Sequence, residues 1–117
     1  AKQWLERAVA AHDREAKFYL AALLAANPDA GARDPKRALD LMKEAGSEFR
    51  FDPTAEEIRA AARAQQGDFK AALKEQNKAV EKAKSLGWDT SALQERNARY
   101  QQGEAWTGNL LADVTAM

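Results

Sequence analysis

At 117 residues the chain is the size of one domain, and its 18 basic and 18 acidic side chains give a formal net charge of zero. No overall charge therefore draws it to nucleic acid or to an anionic lipid surface. Cysteine is absent, which excludes disulfides and thiolate metal sites, and no apolar run of about 18 or more residues offers a membrane span.

The apolar fraction of 45% and charged fraction of 31% are those of a globular chain, and much of the apolar content is alanine, which suits close helix contact. The opening residues lack the basic–apolar pattern of a signal peptide. Residues 1–11 place Trp4, Leu5, Ala8 and Val9 on one helical face. Asp13 can cap a second helix whose face is Ala16, Leu20, Ala21 and Leu24. Residues 27–33 read as a loop broken by Pro28 and Gly31. Asp34 caps a third helix, with Pro35 in the first turn, where the missing N–H costs nothing. That helix presents Ala38, Leu39, Leu41, Met42 and Ala45, and stops at Gly46. Asp52-Pro53 repeats the start signal, although Thr54 and Glu57 also fit a capping box. This fourth helix runs to about Gln66 and stops at Gly67. Asp68 caps a fifth, ending near Leu86, and a sixth spans about residues 90–102 before Gly103. No segment has the pattern of a β-strand. The expectation is an all-α chain of about six helices, about three quarters helical.

The chain also repeats itself. AKQWLERA from Ala1, ALDLMKEA from Ala38 and ALKEQNKA from Ala72 each begin and end on alanine, and they start 37 and 34 residues apart. Such periods belong to stacked helix pairs, each burying its apolar face against the next.

The first half resembles the SEL-one-like repeat: Ala16, Leu20 and Ala21, then Gly31, then Asp34 and Ala38 occupy its patterned positions, although the second loop glycine of that pattern is missing. The second half resembles the tetratricopeptide repeat, through Gly67-Asp68-Phe69, Ala72, Ala79 and Val80. The resemblance covers about residues 1–103 and implies an α/α superhelical solenoid of antiparallel helix pairs over residues 1–106, with a tail at 107–117. Where tetratricopeptide first helices carry large apolar residues this chain has Glu56, Arg59 and Arg63, expected to face solvent or to pair with Glu57 and Glu95. The last helix resembles a solvating cap, with Leu93 and Tyr100 packed inward.

No catalytic constellation is visible. His12, the only histidine, stands at a turn with no second ligand in sequence. Phosphate-loop, dinucleotide, zinc-protease, calcium-loop and nucleophile-elbow patterns are absent. Lys70, Lys74, Lys78 and Lys82 form a row at i, i+4 that could meet an acidic partner or a phosphate backbone. The balanced charge, nearby Glu75 and Glu81, and lack of interleaved aromatics point instead to a solvated face. Among the tryptophans, Trp4 reads as core, Trp88 as a cover for the end of the fifth helix, and Trp106 as partly exposed and the best candidate for an interface anchor.

The expected role is therefore not enzymatic and needs no cofactor or metal: a scaffold that binds a protein or peptide, with no nucleic acid and no membrane insertion. By the register of the resemblance, a concave groove would be lined by Glu15, Phe18, Ala22, Glu57, Ala61, Gln65 and Asn97. Self-association through the solenoid ends and a regulatory appendage of a larger protein are the alternatives. Relatives of this kind often act in bacterial envelope assembly, secretion or signalling, which tips the expectation to an exported setting. Residues 1–11 align with the second helix of a repeat, so the expectation is a piece of a longer array. Failing that, the opening helix would be covered by another copy or by a fold-back of the tail bearing Leu110, Leu111 and Val114.

Overall fold

A computed structural model of the chain describes residues 14–27, 29, 31, 33–45 and 52–108, apart from the side chains of residues 14, 15 and 45. The expected opening helix with Trp4, Leu5, Ala8 and Val9, His12, the Gly46 stop, and Leu110, Leu111 and Val114 lie outside the described residues. Among those described, five helices make up 76% and no strand occurs. They are α1 (Arg14–Ala26), α2 (Pro35–Ala45), α3 (Pro53–Gln65), α4 (Phe69–Ser85) and α5 (Ser91–Gln101).

Local chemistry sets the helix ends. The Asp34 carboxylate accepts from the Arg37 N–H at 3.1 Å, Asp52 from Thr54 at 2.9 Å and Asp68 from Ala71 at 3.1 Å, each satisfying an orphan donor of a first turn. Asp52, and not Thr54 with Glu57, is thus the cap of α3. At its other end Gly67 turns the chain with φ at 80°, a conformation that costs glycine nothing. The Asp68 N–H then donates back to the Arg63 carbonyl at 2.9 Å and the Gly67 N–H to Ala64 at 3.0 Å. One residue, Asp68, closes α3 and opens α4, so the two helices are joined as a tight antiparallel pair. Gly87 does the same after α4, and the Trp88 N–H closes that end on the Ala83 carbonyl at 2.9 Å.

Packing follows chain order. α1 lies against α2 and α3, α3 against α2 and α4, and α4 against α5. Leu20, Leu24, Leu41, Met42 and Ile58 form the bulk of a first apolar cluster, in which nine alanines let the helix axes approach. A second cluster joins Ala60, Ala64, Ala72 and Tyr100, and a third joins Ala79, Val80, Ala83 and Leu93 under the Trp88 ring. Leu93 and Tyr100 face inward as the helical period predicts.

The charged face of α3 differs from expectation. Arg63 is exposed, but Glu56 is buried, with Arg59 Nη2 donating to it at 2.6 Å and Lys82 Nζ on its other oxygen. Arg59 Nε also donates to Glu75 at 3.2 Å. The partners come from α4 because that helix runs alongside α3, bringing together residues 16 and 26 positions apart. Lys70, Lys74 and Lys78 are exposed, whereas Lys82 turns inward to this pair. Burial alone would raise the Glu56 carboxyl, but hydrogen bonds from Lys82 and Arg59 outweigh it and hold the group below its ordinary range.

Candidate functional site

Glu57 lies in the second turn of α3, on the side turned to α5, and is 2% exposed. A carboxylate there is tolerable only if it is paired and hydrogen-bonded. Arg96 Nη1 of α5 donates to Glu57 Oε1, and Gln76 Nε2 of α4 donates to the same oxygen at 3.2 Å. The Gln76 amide donates also to the main-chain carbonyl of Leu93 at 2.9 Å. One carboxylate and one amide therefore tie α3, α4 and α5 together by directional bonds.

The Arg96 guanidinium is covered by the Trp106 ring, whose centroid lies 4.1 Å from Cζ, a cation–π stack. Trp106 follows α5 in a stretch of irregular backbone, and its ring packs against both the first and the second apolar cluster. Two residues on, the Gly108 N–H donates to the Ala26 carbonyl at 2.7 Å, satisfying one of the orphan acceptors at the end of α1. Residues 104–108 thus run from the end of α5 to the end of α1. The turn depends on glycine: a Cβ at position 108 would lie 2.7 Å from Cζ2 and Cη2 of Trp106, and the φ of 153° strains any other residue.

Several enclosed polar atoms have no hydrogen-bond partner among the described residues, including Gln65 Nε2, Gln76 Oε1, Asn97 Oδ1 and the Tyr100 hydroxyl. Burial, and then the Glu57 charge, push the Tyr100 phenol well above its ordinary range against the opposing pull of Arg96, so it stays neutral.

The expected groove residues are distributed as follows. Phe18 and Ala22 are each 4% exposed and Ala61 is 0% exposed, all within the first cluster, which carries the Trp106 ring. Phe18 also meets Tyr19 edge-on, with ring centroids 6.1 Å apart. Gln65 and Asn97 are half-buried, and Asn97 Nδ2 donates to Asn77 at 3.2 Å. Glu15 belongs to the first turn of α1, but its side chain lies outside the described residues. Phe18, Ala22, Glu57 and Ala61 are therefore interior in this state, and a large charged side chain at Ala61 would break packing, not fill an open groove. The residues missed by sequence reasoning are Arg96, Gln76 and Gly108. Only the Trp106–Gly108 spacing carries a local signal, a large ring followed two residues on by the one residue it can fold over.

A cleft of about 490 Å³ between α2 and α3 is lined by Lys36, Lys43, Arg59 and Arg63 with Asp40. Arg59 is already engaged by Glu56 and Glu75, and Lys36, Lys43 and Arg63 are exposed, so this is a solvated basic edge. Among the described residues no three His, Asp or Glu side chains are placed to hold a metal ion, and no helix is long and apolar enough to cross a membrane. No protein-family model, curated protein or solved structure matches the chain.

Proposed function

We propose that the chain is a protein-interaction module of stacked helix pairs, in the manner of tetratricopeptide and SEL-one-like repeats, which receives an extended peptide across α1, α3 and α5. The observation that carries this reading is the lodging of residues 104–108 on that surface, with one aromatic anchor on Arg96 and one main-chain hydrogen bond to Ala26. A surface that takes one non-helical segment through a ring and a backbone N–H has the features of peptide recognition, where a few anchors supply most of the affinity.

The test is a displayed library of random peptides panned against the full chain and against its Trp106→Ala variant. A shared sequence is expected to emerge, and its binding is expected to fall about tenfold or more, the equivalent of 1.4 kcal/mol, in an Arg96→Lys variant that keeps its helical circular dichroism and the charge facing Glu57. Failure of both chains to enrich any sequence, or binding indifferent to that substitution, removes the reading.

A further inference from the structure

We infer that residues 104–108 are an internal ligand, and that the external partner which displaces them is an extended segment carrying a bulky aromatic residue followed two positions later by glycine. This rests on the peptide-binding reading above and names the partner of that same surface.

Two observations carry the inference. The segment is seated but not built in: Glu104 and Thr107 are exposed, Ala105, Trp106 and Gly108 are half-buried, and none of the five is fully enclosed. The inward faces of α1, α3 and α5, by contrast, supply fully buried residues such as Leu24, Ile58 and Tyr100. Beyond Glu104, which still closes α5 through the Arg99 carbonyl, the main-chain link from this segment is the single Gly108–Ala26 hydrogen bond among the described residues. A stretch with so few buried contacts sits at the low end of the range of local opening free energies.

The anchoring chemistry is also specific. The Arg96 guanidinium, bonded to Glu57, lies over an aromatic ring, and that ring can sit against position 108 only because glycine has no Cβ. An incoming segment must reproduce both features, a ring and a glycine two residues on. A bound internal segment lowers the apparent affinity for an external one by the fraction of molecules that are open.

The probe is a fluorescently labelled peptide of sequence GEAWTGN, followed by anisotropy against the full chain. Trp106→Ala and Gly108→Ala are expected to bind it about tenfold or more tightly than the unaltered chain, and a GEAATGN peptide is expected to bind none of the three. Because either variant could lose fold along with the tail, a second arm leaves the anchor intact. The chain has no cysteine, so Thr107→Cys with Asn27→Cys, the neighbours in sequence of the bonded Gly108 and Ala26, allows a short bismaleimide to tether the segment beside the end of α1. The tethered protein is expected to lose the peptide binding that the same protein shows before crosslinking.

Equal binding by the unaltered and variant chains overturns the internal-ligand inference, as does a tether that fails to form within one chain or leaves binding unchanged. Exchange of tails between two chains, seen as a stable dimer by light scattering, overturns it in favour of a second copy. If peptides from the library bind the unaltered and Trp106→Ala chains alike, the module reading stands while the internal ligand falls. If nothing binds either chain, the module reading itself falls.

Discussion

The two ends of the described chain are held together by different physics. α1 and α2 meet through Leu20, Leu24, Leu41, Met42 and a bed of alanines, and neither contributes a buried charged or polar side chain among the described residues. α3, α4 and α5 hold all of the latter: Thr54, Glu56, Glu57, Gln76 and Arg96. Apolar burial is non-directional, so it fixes that α1 and α2 pack but tolerates small shifts in how. The Glu57–Arg96–Gln76 bonds are directional, so they fix which turn of α3 faces which turn of α5. Arg96, which carries the Trp106 ring, thus belongs to the part of the molecule whose register is set by hydrogen bonds.

The largest expected effect breaks that directional half. Arg96→Met leaves the Glu57 carboxylate buried without its cation and should cost about 3–5 kcal/mol in urea denaturation. Adding Glu57→Leu to it should recover most of the loss, because an apolar pair of similar volume often matches a buried ion pair. A loss below about 1 kcal/mol in the single variant would mean that the pair is open to water after all.

A second comparison sharpens the contrast in the apolar half. Leu20, fully buried in α1, should cost about 2–5 kcal/mol as Leu20→Ala, for lost burial plus the cavity. The volume-conserving Leu20→Met should cost less than about 1.5 kcal/mol. Glu57→Gln conserves volume equally well but leaves Arg96 without its counter-charge, so it should be clearly the worse of the two. Equal melting temperatures for Leu20→Met and Glu57→Gln would erase the distinction between the two halves.

These contrasts also explain what could be read from the sequence. The caps at Asp34, Asp52 and Asp68 and the stop at Gly67 are legible because each bonds within a few residues of itself. The inward face of α1 and the burial of Leu93 and Tyr100 are legible from a 3.6-residue period. Glu57 shows where legibility ends. Local spacing suggests a capping-box acid or a groove residue, while its actual partners stand 19 and 39 positions away. The same holds for Glu56 and Arg59, whose exchange with Glu75 and Lys82 arises only once α4 lies alongside α3. Trp106 belongs to no helical period, so its tie to Arg96 and the return of the chain to Ala26 have no periodic signature. Directional long-range bonds are therefore the part that the local pattern omits, and they are concentrated around the candidate site.

The smallest expected effect is the pH response, and it too should divide the halves. In the folded chain Lys82 and Arg59 hold the Glu56 carboxyl below its ordinary value of 4.5, despite the opposing effect of burial. The unfolded chain therefore binds this proton more readily than the folded one. The Glu56 contribution to stability is complete above about pH 4.5 and is lost as the pH falls through the lower folded value. Arg59 and Lys82 are each about a third exposed, so water screens the attraction and the contribution should be at most about 1 kcal/mol. Asp89 also titrates low, because the Ser91 N–H and hydroxyl donate to it, so acid sensitivity of the unaltered chain alone would not identify the group responsible. Glu56→Gln isolates it. Thermal melts from about pH 6 to about pH 3 should show a shallower fall in Tm for Glu56→Gln than for the unaltered chain, the two curves converging at the acid end. Leu20→Met, placed where no buried carboxylate is described, should run parallel to the unaltered chain at every pH. Identical slopes for all three would mean that the Glu56 ion pairs contribute nothing that acid can remove, and that Glu57 and Arg96 alone distinguish the directional half.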